Sequence, residues 1–312
     1  MKMRMPLLVV MVSAVLLTGC VANPDPRLSP TATPWQRSDL WQTAATAERF
    51  LAGVYHVADS MQLPGCGTWC AAASAMHQAH DTVLTQPDPW GGFTEPTAFV
   101  LPDYGDENAL KQDLARAANE VLTADQAGLA AATTGPEALL WASLVATANT
   151  TVAFANDQTV AMPTLQPGAV VPYQIDVGST TDAASAALDA ANAVIYIATV
   201  GAAQATTSGP LKASLGATIA QAKADRDSLE EQISGLGGTA SPPALSYPLD
   251  AGVGSDDSVL ASLAPYQTSL GNAYTRLAGT MIGQDAVDTA MKADFTGQTA
   301  AGATLTWWPG WS

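Results

Sequence analysis

Apolar residues recur in this chain at spacings of three and four over long stretches, while alternation at a spacing of two is scarce. That period lays an apolar stripe along one face of a helix, so the fold class is all-α. The first stretch, 35–61, carries Leu40, Ala44, Ala47, Leu51, Val54, Ala58 and Met61 on such a stripe. Leu63-Pro64-Gly65 breaks it, and a second helix is predicted over 68–85, stopping before Pro87-Asp88-Pro89-Trp90-Gly91-Gly92. A third follows at 107–132. Gly135-Pro136 opens a fourth that runs to 156, with proline suited to a first helical position. Four helices on mostly short connections read as a bundle, the N-terminal helical bundle of residues 35–157. Residues 158–179, with Pro163, Pro167 and Pro172, read as a linker. The plan then repeats, with helices predicted over 181–207, 211–236, 256–281 and 285–296, so that 180–312 form a second helical bundle.

Upstream of the first helix the pattern changes. Lys2 and Arg4 precede an apolar run, residues 5–17, too short to span a bilayer. Such a start is an export signal, and it ends in Leu17-Thr18-Gly19-Cys20, the form of a bacterial lipobox. The expectation is a signal peptide over 1–19 and lipidation of Cys20, with palmitate-like chains. More than one acyl chain on Cys20 would hold the chain stably on the membrane. Prolines 24, 26, 30 and 34 make 20–34 a semi-extended tether. No later stretch approaches eighteen uninterrupted apolar residues. The chain is expected at the cell membrane, lipid-anchored, on its extracytoplasmic face.

Charge narrows the partners. With 28 acidic against 12 basic side chains the formal net charge is −16, which leaves no basic face to neutralise phosphates, so nucleic acid is excluded. A 48% hydrophobic share excludes an acidic disordered tail.

Three stretches of the second block share a pattern: AANAVIYIATVGA over 190–202, Asp225-Arg226-Asp227-Ser228-Leu229 continuing to Ser246-Tyr247-Pro248-Leu249, and 262–278 with Trp308-Pro309-Gly310. In order and spacing they resemble the ferritin-like domain of unknown function found at the C-terminus of actinobacterial lipoproteins. The resemblance covers 180–312 and implies a ferritin-like four-helix bundle on a secreted lipoprotein, with no activity attached. That family commonly shows a Glu-His pair in its first helix, where this chain has Ala191 and Asn192. A di-iron bundle draws carboxylates from all four helices and imidazoles from two. The block contains no histidine, and its only glutamates are Glu230 and Glu231, so it lacks di-iron ligands.

Chemistry is therefore confined to the first block, which holds all three histidines, at 56, 77 and 80. Cys66, Cys70, Ala73, His77, His80 and Leu84 fall on one stripe of the second helix, expected to face inward or toward a groove. Its ends are too far apart to act together, since fourteen residues of helix span about 21 Å. In an exported chain Cys66 and Cys70 are expected to form a structural disulfide, because an i, i+4 pair at a helix start brings the Cα atoms within bridging range. His77 and His80, at i and i+3, can chelate one ion. Folding the first two helices about Leu63-Pro64 sets Glu48 opposite them and His56 near Cys70. Glu48, His77 and His80 then form a candidate metal site, with Glu120 or Asp125 of the third helix as additions.

The competing reading is a pair of buried, hydrogen-bonded histidines. The fourth helix, residues 138–155, offers no ionisable side chain. No nucleophile elbow and no phosphate-binding loop is present, and no catalytic residue is assigned. The tryptophans at 35, 41, 69, 90, 141, 307, 308 and 311 are more simply bundle-end packing than a ligand groove. The leading functional expectation is a non-enzymatic envelope protein that binds another envelope protein or a small ligand, without a cofactor. The alternative is a metal-binding or redox protein with a single metal ion at Glu48, His77 and His80.

Overall fold

Short polar side chains set the starts of four of the long helices by accepting free backbone N–H groups of the first turn. Asp106 accepts from Ala109 N, Ser179 from Asp182 N and Ser208 from Leu211 N, while Ser255 and Ser258 form a reciprocal capping box. The structure, a computed structural model, describes residues 38–85, 100–133, 135–168, 175–204, 206–249 and 251–311. Cys20, with the signal peptide and tether expected over 1–34, and the 87–92 turn lie outside the described residues.

The helices are α1 (Asp39–Ser60), α2 (Trp69–Thr85), α3 (Glu107–Ala131), α4 (Gly135–Asn156), α5 (Thr180–Ala203), α6 (Gly209–Gly235), α7 (Asp256–Gly279) and α8 (Gly283–Ala290). The fold is all-α, with one minor addition among the described residues. Strand β1 (Thr164–Gln166) pairs in parallel with β2 (Thr304–Thr306). The last helix is shorter than the expected 285–296. Asp294 accepts from both the backbone N–H and the hydroxyl of Thr296, a local turn that competes with helix continuation.

α1 packs on α2 and α3, α3 on α4, and α5 on α6 and α7. The boundary expected at 158–179 is a change of helix set rather than a break in the core. The described residues make one compact unit, because α4 also packs on α7 and α8, and α3 on α8. A single apolar cluster joins Trp41, Leu84, Leu129 and Trp141 to Ala278, Val287 and Trp308. Small residues permit the approach. A Cβ on Gly279 would come within 2.8 Å of the Leu139 backbone, and one on Gly128 within 2.4 Å of the Trp141 ring.

α4 is apolar on all sides and takes the central place that such a helix requires. Its buried hydroxyls are satisfied mainly within the helix itself: Thr147 and Thr150 donate to the carbonyls of Ser143 and Ala146, four residues back, and Thr151 to Ala148, three back. α4 and α5 are each long and apolar enough to cross a membrane, and 83% of the apolar window in α4 is buried inside the protein. Beyond α8 the chain returns over the first block. Trp307 N–H donates to Gln166 O, the Ser143 hydroxyl to Pro309 O and Gly310 N–H to the Asn272 side chain.

Candidate metal centre

The register between α1 and α2 follows from the tight turn at Leu63–Gly65 and is locked by side chains. Ser74 Oγ donates to Ala52 O at 2.8 Å. One turn further, Arg49 grips Asp81 through two bonds of 2.9 and 2.7 Å. A planar guanidinium facing a carboxylate in this forked way fixes geometry as well as charge. On α2, His77 and His80 lie between these two locks, and Glu48, next to Arg49 on α1, faces them.

All three side chains are fully buried, and one ligand atom from each lies within 4.8 Å of the other two. His77 Nδ1 is in hydrogen-bond contact with Glu48 Oε2, and His80 Nδ1 lies 3.1 Å from Glu48 Oε1. His80 Nε2 is 2.8 Å from the carbonyl oxygen of Trp307. The Trp308 ring covers His80, with centroids 4.6 Å apart, and Tyr55 stacks on His77 with planes 4° apart. His77 Nε2 has no hydrogen-bond partner.

Electrostatics favour a carboxylate beside a neutral imidazole. Burial pushes Glu48 up, but the charges and hydrogen bonds of His77 and His80 outweigh it and hold the carboxyl at about 2. Burial lowers His77 from its ordinary value, against the pull of Glu48. A neutral His77 then donates Nδ1–H to Glu48.

The other sequence candidates distribute clearly. Cys66 and Cys70 are joined in a disulfide with Cα atoms 5.0 Å apart, and the stripe from Cys66 to Leu84 faces inward. Glu120 is not an addition to the site: it is exposed and paired with Arg116 at 2.8 Å. His56 is exposed on the outer face of α1, because the inward positions around it belong to Tyr55 and Ala58. Asp125 is fully buried, and its charge interacts with that of Glu48. Among the described tryptophans, Trp41 meets Trp141 edge-on at 5.1 Å, and Trp69 lies against Tyr55 and Phe154; Trp35 and Trp90 lie outside the described residues. A groove of about 1030 Å³ runs between α1 and α3, along Leu40, Ala47, Phe50, Asn119 and Thr123, but it lies on the outer face and Glu48 does not line it.

The Trp307 carbonyl is the contributor that sequence reasoning missed. A backbone acceptor 227 positions from His80 leaves no residue-type signal. Comparison with protein-family models, with curated proteins and with solved structures finds no match. The ferritin-like resemblance of 180–312 thus rests on the residues quoted for it.

Proposed function

We propose that this chain is an exported, lipid-anchored envelope protein, non-enzymatic, whose first helical block holds one first-row divalent metal ion between Glu48, His77 and His80. The lipobox at Leu17–Cys20 supports the location, and the resemblance quoted above supports a ferritin-like second block without metal ligands. In this reading the ligand of a binding protein is the ion itself.

One observation carries the metal reading. A carbonyl oxygen only accepts, so the contact with Trp307 puts a proton on His80 Nε2, and with His80 neutral its Nδ1 turns a lone pair toward Glu48 Oε1 at 3.1 Å. Two acceptors in that position need a proton or a metal ion between them, and His77 Nδ1 converges on the same carboxylate; three buried side chains with ligand atoms within 4.8 Å of one another suit the metal ion. A ligating histidine whose other ring nitrogen donates to a backbone carbonyl is the ordinary outer support of a metal site. Two imidazoles and a carboxylate suit zinc, iron(II) or manganese(II), and full burial leaves no open position for substrate, as in structural rather than catalytic sites.

The test is elemental analysis of the full chain purified from membranes without chelator. One metal ion per chain is expected, absent from the His77→Ala/His80→Ala double variant. A wild-type chain that carries no metal and takes up none from added zinc, iron(II) or manganese(II) overturns the reading and leaves a proton-bridged network. Cys20→Ser is expected to move the chain from the membrane to the soluble fraction; retention on the membrane would remove the lipid anchor from the reading.

A further inference from the structure

A buried ion needs an entry path. None of the Glu48, His77 and His80 side chains has any exposed surface. Among the described residues, their hydrogen bonds and ring contacts run within α1 and α2, apart from two that His80 makes elsewhere: to the carbonyl of Trp307 and to the ring of Trp308. The helical walls do not part easily. Leu51, Val54 and Tyr55 of α1 share one buried cluster with Cys70 and Ala73 of α2, and the Arg49–Asp81 fork ties the same two helices.

Residues 304–311 are fastened more lightly. Past the three-residue ladder with β1, Trp307 N–H donates to Gln166 O at 3.0 Å, Pro309 O accepts from Ser143 at 2.9 Å and Gly310 N–H reaches Asn272 Oδ1 at 3.3 Å. Three donors of this stretch, Thr306 Oγ1, Trp307 Nε1 and Trp311 Nε1, are buried with no partner. A donor buried in that way carries a desolvation cost that contact with water returns. The opposing hold is the Trp308 ring, which is 3% exposed and belongs to the apolar cluster around Trp41 and Trp141. The closed form predominates, and lifting the stretch disturbs less than parting the helices.

We propose that residues 304–311 are a strap that sets the rate at which the ion enters and leaves the site, without setting how tightly it is held. The inference rests on the metal-binding reading above. Lifting the strap withdraws the Trp307 carbonyl and the Trp308 ring from His80 and leaves Glu48, His77 and His80 in place on α1 and α2. Exchange waits on lifting in both directions. A change that makes lifting more frequent speeds uptake and release alike, and their ratio, the affinity, stays the same while the strap remains mostly closed.

The experiment compares the full chain with Ser143→Ala and Asn272→Ala, each of which leaves one strap bond unmade at a residue that has no hydrogen bond to the three donors. Stopped flow with a chromophoric chelator follows zinc uptake by the stripped protein and zinc release from the loaded one, and equilibrium competition gives the dissociation constant. One net hydrogen bond corresponds to a factor of about five in an equilibrium constant, so each variant is expected to take up and release zinc about fivefold faster, with a dissociation constant within about twofold of wild type. Asn272→Ala, at a half-buried position, serves if the change at buried Ser143 disturbs folding. Unchanged rates in a folded variant overturn the strap and leave the metal-binding reading standing. Faster release with unchanged uptake also overturns it, since the strap would then only support His80. A wild type that binds no zinc, cobalt(II), iron(II) or manganese(II) overturns both.

Discussion

Gly279, the last residue of α7, lies so close to Leu139 of α4 that a Cβ added to it would fall 2.7 Å from the leucine Cβ and 2.8 Å from its Cα. The nearest atoms include backbone, which has little room to yield. Gly279→Ala is expected to push the two halves of the core apart and to destabilise the chain by about 1–3 kcal/mol, the usual cost of overpacking. Thermal unfolding followed at once by near- and far-ultraviolet circular dichroism checks it. One shifted transition is expected, and separate transitions for the two helix sets would contradict a shared core.

In the proposed reading, metal binding is linked to folding. A ligand at a hundred times its dissociation constant stabilises the native state by about 2.7 kcal/mol. For a chain of this size that corresponds to a rise in midpoint of about 5 °C. Zinc added to the stripped protein is expected to produce such a rise, reversed by chelator. The His77→Ala/His80→Ala variant should show none.

The metal-free chain is expected to lose stability in acid, in two stages. His77 sits below its ordinary value of 6.5 because of burial, so as pH falls through that value the unfolded chain takes up a proton that the native one refuses. Glu48, held at about 2 against an ordinary 4.5, adds stability that is complete above 4.5 and disappears toward pH 2. Asp125 acts oppositely: burial, then the Glu48 charge, raise its carboxyl well above 3.8, so its contribution is full below 3.8 and lost as pH rises. Melting midpoints in chelated buffer should therefore fall between pH 7.5 and 5.5. His77→Gln should remove that first fall, and an unchanged slope in the variant would refute the assignment.

Histidine reactivity offers a direct probe of burial. Of the three histidines only His56 is exposed. Diethyl pyrocarbonate is expected to modify one histidine per native chain, identified by peptide mass as His56. Removing residues 304–312, which takes away the Trp307 carbonyl and the Trp308 ring, should open His80 to the reagent. An unreactive His80 in the truncated chain would show that other cover suffices.

The disulfide makes a modest, local contribution. Closing a loop this short is worth about 2 kcal/mol in the chain-entropy account. Cys66→Ser/Cys70→Ser should lower the midpoint by a few degrees while leaving helix content intact. A thiol assay on the unfolded, unreduced wild type should find neither cysteine free.

Much of the first block was legible because its determinants are local. The Leu63–Gly65 turn sets α1 against α2, and from there the spacing of Glu48, His77 and His80 dictates their meeting. The shared core was harder to read. Its signal was residues 138–155, which contain no ionisable side chain, since a helix apolar all round needs neighbours on every side and one bundle does not supply enough. The β1–β2 pair was illegible, three residues long and joined across the 140 positions from Thr164 to Thr304. So was the tautomer of His80, which a peptide oxygen imposes rather than a side chain.

The 227 positions between His80 and Trp307 also set an order of events. Ribosomes make proteins from the N-terminus, and contacts between distant parts of a chain form late because closing a long loop is entropically costly. α1, α2 and α3 can therefore assemble around Glu48 while the residues that cover His80 have yet to be made. During that interval the three candidate ligands stand open on one side, and the arrival of the last few residues shuts them in. An ion would enter while the protein is still young.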